Sequence, residues 1–147
     1  MFKVHKKIIY AIEAVVDIAL NSGPNPVQNV SIARRQGIPK RYLEQTLQIL
    51  VKNKILVGSR GPKGGYSLAK ERRKIRISDV ITCVSKDDKV ANSFNSSLSR
   101  KIVIPLLNDI SIKCMQTFNN ISIEDVCRIA KSKNIQKNIS KKVDFVI

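Results

Sequence analysis

Acidic residues are scarce in this chain: 11 Asp and Glu stand against 27 Lys and Arg over 147 residues, a formal net charge of +16. That imbalance points to a polyanionic partner, nucleic acid first and an anionic membrane surface second. Lys, Ile and Asn are abundant together, as in a genome poor in G and C. Codon drift adds lysines, but it does not remove acids. Histidine is nearly missing, and the lone His5 completes no Ser/His/Asp or Cys/His site with a recognisable neighbour. Cys83, Cys114 and Cys127 lie far apart without a C-x-x-C pair, which argues against a disulfide framework and against a zinc ribbon. No apolar run reaches the roughly 18 residues of a membrane span. The stretch KKIIYAIEAVVDIAL begins like a signal peptide, but Glu13 and Asp17 interrupt it at helical spacing. It reads as a helix, and a soluble cytoplasmic protein is expected.

The length suits one domain, or one domain with an appended arm, and can bury a core without disulfides. Ile8, Ile12, Val15 and Ala19, with Ile9, Val16 and Leu20, recur every three to four residues and predict an amphipathic helix over 6–21. NSGPNP ends it. A short helix follows over 29–36, closed by Gly37, and a longer one over 39–53, with Pro39 suited to the first helical turn. Helix, tight turn and longer helix form a helix-turn-helix. In the longer helix Leu43, Leu47 and Leu50 face a core, while Arg41, Gln45, Gln48 and Lys52 line another face. Arg and Gln suit base edges, since Arg pairs bidentately with guanine and Gln with adenine.

Next come two strand-prone segments, ILVGSR (55–60) and YSLAK (66–70), around RGPKGGY (60–66). The Walker spacing is absent, so this glycine-rich stretch is no nucleotide loop. It predicts a hairpin whose tip carries Arg60, Lys63 and the projecting backbone amides of Gly64 and Gly65, a wing that approaches a DNA groove closely. Ser78 is expected to cap a short helix with Val80, Ile81 and Val84 inward and Cys83 as a small core residue. Residues 85–101 are polar and aperiodic and read as a loop. Pro105 then opens a helix to about Phe118, whose apolar arc of Leu106, Leu107, Ile110, Cys114 and Phe118 is broad enough to pack against a second subunit. Ser122 and Asp125 resemble a capping box for a last short helix. A basic tail, 131–147, follows, read as disordered or loosely helical.

The stretches YAIEAVVDIALNS, ARRQGIPKRYLEQTLQILVKNKIL, RGPKGGYSLAK, ISDVI and TFNNISIEDV, in this order over about residues 1–130, resemble the Rrf-two family of bacterial winged-helix transcription regulators. The resemblance implies a mainly α fold with a small β-hairpin: a winged helix-turn-helix domain (1–84), a linking region (85–104), a dimerisation helix with a final short helix (105–130) and the tail. It implies a homodimer on double-stranded DNA, with a recognition helix in the major groove and a wing at the minor groove. Carried over by position, Arg41, Tyr42, Glu44 and Gln45 match recognition-helix contacts, and Arg60, Gly61, Pro62, Lys63, Gly64 and Gly65 match the wing. Glu44 faces phosphates unfavourably, so it acts through a cytosine amino group or by holding Arg41, as a specificity element.

Three features depart from the family pattern. Pro39 and Lys40 stand where Ser and Pro commonly begin the recognition helix, and Asn29 replaces a common apolar residue, which should weaken local packing. Cluster-binding members carry three closely spaced cysteines before the dimer helix, whereas residues 86–104 hold no Cys and no His. No metal and no cofactor are therefore expected, and the chain resembles the cluster-free members. Two other classes stay open: a sequence-neutral nucleic-acid-binding protein, and a redox sensor using Cys83, Cys114 or Cys127.

Overall fold

In the computed structural model, which describes residues 4–86 and 93–135, the first helix is the post around which the others assemble. α1 (Lys6–Leu20) buries Ala11, Ala14, Val15, Ile18 and Ala19, and it touches the next three helices, the last helix and the second strand of the hairpin. α2 (Asn29–Gln36) ends where Gly37 turns left-handed at φ 64°, a conformation that suits glycine. α3 (Lys40–Lys52) follows after Ile38 and Pro39. Pro39 occupies its N-cap rather than its first turn, a one-residue shift in which the missing N–H is equally harmless. Leu43, Leu47 and Leu50 are fully buried, each contributing roughly 1.5–3 kcal/mol by leaving water.

β1 (Leu56–Ser59) pairs antiparallel with β2 (Gly65–Leu68), in a register that sets Leu56 opposite Leu68 and Ser59 opposite Gly65. Val27 adds a third, one-residue rung through two 2.8 Å hydrogen bonds with Tyr66, N–H to carbonyl in both directions. A 3₁₀ turn, Arg72–Lys74, leads into buried Ile75 and α4 (Ile77–Ser85). Ser78 does not cap this helix. The N-cap is Arg76, whose N–H donates to Asp79 Oδ2 at 2.9 Å, because buried Ile77 is already drawn in by its N–H bond to the Ile121 carbonyl. Ser78 Oγ donates instead to Asn119 Oδ1 at 3.0 Å, tying the start of α4 to the end of the long helix.

That long helix starts earlier than its sequence suggests. Residues 97 and 98 are already helical, Ser99–Val103 form a π-turn, and α5 (Ile104–Asn119) continues without a break. The expected loop therefore ends before residue 97, and Pro105 lies inside the helical run rather than opening it. Proline has no N–H for the carbonyl four residues back, and its ring crowds that turn. A wider π-turn immediately before it accommodates both. The middle of the expected loop, residues 87–92, lies outside the described residues. α6 (Ile123–Ser132) has the expected capping box: Ser122 Oγ accepts from Asp125 N–H at 3.1 Å and Asp125 Oδ2 accepts from Ser122 N–H at 2.9 Å. It continues two residues into the stretch read as tail, whose remainder from 136 lies outside the described residues. Among the described residues no helix is long and apolar enough to cross a membrane.

Candidate nucleic-acid interface

The polar face of α3 is the reverse of its packed one. Because Leu43, Thr46, Leu47 and Leu50 take the inward side of α3, Arg41, Tyr42, Glu44, Gln45, Gln48 and Lys52 are all exposed on the other. Tyr42 is 59% exposed yet not loose. Its ring rests against Tyr10 of α1, centroids 6.3 Å apart and tilted by 46°. Tyr10 was missed by sequence reasoning, since nothing local connects the two residues. Glu44 is the only acid between Asp17 and Glu71, so the positive potential over α2, α3 and the hairpin is almost uninterrupted.

The hairpin presents Arg60 and Lys63 at its exposed tip, as expected, but its glycines serve a different purpose. Gly64 N–H does not project. It donates to the Gly61 carbonyl at 2.9 Å inside the turn. A Cβ on Gly64 would lie 2.4 Å from the Ser59 carbonyl oxygen, and one on Gly65 would lie 2.4 Å from the Val27 carbonyl oxygen. These two positions need glycine for the wing to close on itself and dock on Val27, before any groove is involved. Gly61, at φ 101° with open space around it, requires glycine for its backbone angle alone, and Gly65, at φ 159°, combines an unusual angle with the close approach. Gln28 Nε2 donates to the Pro62 carbonyl at 3.4 Å, fastening the tip to the start of α2.

Between α3 and the wing lies a cleft of about 620 Å³, where Gln48 and Lys52 meet Arg60, Gly64 and Gly65 over a floor that includes Asn29 and Tyr66. The structure thus joins the second half of the polar helix stripe to the wing; Arg41, Tyr42, Glu44 and Gln45 occupy the N-terminal half of α3, away from this cleft. Asn29 Oδ1 is buried without a hydrogen-bond partner, the local cost expected of a polar residue there.

A family model described as Rrf2, an iron-dependent transcriptional regulator, matches residues 4–129. The chain belongs to the Rrf2 family. It is a winged-helix, DNA-binding transcriptional regulator and not an enzyme. Among its relatives are the HTH-type transcriptional regulator IscR of Sodalis glossinidius (strain morsitans), 33% identical over 121 residues that cover 80% of this chain and 73% of that protein. The IscR of Yersinia pseudotuberculosis serotype O:1b is 33% identical over 135 residues, covering 85% and 82%. The solved structure of T. potens IscR superposes with a TM-score of 0.71 at 27% identity, covering 97% of this chain and 96% of that one. CymR, the global cysteine regulator of B. subtilis, shares the fold at a TM-score of 0.66 and 22% identity, covering 88% and 98%.

The iron in the Rrf2 description finds no matching ligand set here. Cys83 and Cys127 are buried in the core, and burial pushes both thiols above their ordinary value; Cys114 is exposed on α5. Among the described residues no three His, Cys, Asp or Glu side chains converge as a metal site, and residues 87–92 contain no Cys or His. Cluster thiolates must converge on one centre, and these three do not. Burial likewise denies Cys83 and Cys127 the access that redox sensing needs, whereas Cys114 is exposed.

Proposed function

We propose that the protein is a homodimeric, sequence-specific repressor that binds a pseudo-palindromic operator in the bacterial cytoplasm and works without an iron–sulfur cluster. The composition of the outward face of α3 carries this reading: Arg41, Gln45 and Gln48 offer directional hydrogen bonds to base edges, where lysines alone would offer only charge. Arg60 and Lys63 extend the contact from the wing to phosphates. α5 supports the dimer, since none of its residues is buried and Leu106, Leu107, Ile110 and Phe118 are 57%, 45%, 43% and 37% exposed. A stripe of that kind on a long helix fits a second copy of itself, with Cys114 inside the same face. Two-fold symmetry then sets half-sites one turn, roughly 34 Å, or a multiple apart.

The test is selection of bound fragments from the source genome by purified protein at low and near-physiological salt. One palindrome that persists at the higher salt is expected. Arbitrary fragments lost together as salt rises would identify a sequence-neutral binder instead.

A further inference from the structure

Arg35 is held from behind by Asp17, whose oxygens accept from its Nε at 2.9 Å and Nη2 at 2.7 Å, and from Gln36 Nε2 at 2.7 Å. This engagement leaves the Nη1 donors of the guanidinium. Arg35 lines a cleft of about 430 Å³ between the α1–α2 loop, α2 and the wing tip, separate from the one beside α3. Lys63 of the wing lines the same cleft, together with Ser31, Gln28, Asn21 and Asn25. The lining contains no carboxylate. Gln28 reaches from this wall to the Pro62 carbonyl, so the cleft spans the joint between wing and domain.

We propose that this cleft is a binding site for a phosphate-type anion, gripped between Arg35 and Lys63 and thereby pinning the wing tip to α2. A fixed guanidinium, an exposed ammonium, the Ser31 hydroxyl and the Asn25 amide on an acid-free wall match a tetrahedral oxyanion, while the Gln28 and Asn21 amides already donate to the Pro62 and Asp17 carbonyls. The anion has two possible sources, the DNA backbone or a free phosphorylated small molecule. Only that choice of source rests on the DNA-binding reading.

The experiment titrates the full chain with inorganic phosphate, without DNA, and follows backbone amide resonances against sodium chloride at equal ionic strength. Saturable shifts at Ser31 and Lys63 are expected in phosphate only, and Lys63→Gln weakens them about tenfold, as loss of one charge-assisted contact does. Absence of saturation, equal shifts in chloride, or undiminished shifts in Lys63→Gln overturns the proposal. Arg35 is left unchanged, because its loss would strand buried Asp17. With operator DNA present, displacement by phosphate beyond that by chloride identifies the DNA backbone as the source; no such displacement identifies a free phosphorylated ligand. Phosphate binding by a chain that selects no operator would overturn the operator-binding proposal and leave the cleft intact.

Discussion

Asp17 and Arg35 form a bidentate ion pair between α1 and α2, with the carboxylate fully buried and the guanidinium side chain 17% exposed. The bond to Asp17 raises the Arg35 guanidinium above its ordinary value. Removing one partner leaves the other buried and uncompensated. Arg35→Ala is expected to lower stability by about 3–5 kcal/mol, read as a fall in the urea midpoint at unchanged slope. A midpoint equal to wild type would show that the pair contributes nothing.

Gly65→Ala forces a methyl group against the Val27 carbonyl oxygen. The expected cost is roughly 1–3 kcal/mol, concentrated in the wing, with the Val27–Tyr66 rung opening first. Hydrogen exchange at the Val27 and Tyr66 amides checks this. Faster exchange there, with α1 and α3 protected as before, is the expected pattern.

Arg60→Ala and Gln45→Ala should separate affinity from discrimination. The first removes a wing cation and is expected to weaken all DNA binding, reducing the salt slope by about one. The second removes a base-edge donor and acceptor and costs about 1–3 kcal/mol of discrimination at one base pair. Competition between operator and mutated operator at fixed salt distinguishes the two effects.

Ile110→Glu places a charge in the uncovered stripe of α5, where it meets water in a monomer but apolar surface in a dimer. Light scattering across a concentration series should show a monomer with unchanged helicity. A variant as dimeric as wild type would move the interface elsewhere.

Acid sensitivity should include the α6 cap. The Ser122 backbone N–H, and then its side chain, hold the Asp125 carboxyl below its ordinary value. A depressed pKa means that this contribution is present above the unfolded value, about 4, and is lost as pH falls through the folded one. Asp125→Asn should flatten the fall of the melting temperature below about pH 4, whereas Ser122→Ala should cost about 1 kcal/mol near neutrality.

Much of this was legible because its signals are local. The period of α3 separates Leu43, Leu47 and Leu50 from Arg41, Gln45 and Gln48 within a dozen residues, and Gly37, Ser122 and Asp125 mark helix ends by their own chemistry. Pro105 misled because a proline after an aperiodic polar stretch reads as a helix start, and the π-turn that admits it has no sequence pattern. Gly64 and Gly65 were located correctly, but their purpose depends on Ser59 and on Val27, nearly forty residues away.

The order of elements, the inward faces of the helices and the cationic segments of α3 and the hairpin were therefore determined by the sequence itself, through periodicity, turn chemistry and charge. Only the tertiary structure decided that Asp17 closes on Arg35, that Tyr10 supports Tyr42, that Val27 completes the wing and that Lys63 lines one cleft with Arg35. Each of these joins residues far apart in the chain, and such pairs become neighbours only when burial of a shared core sets the helices against one another.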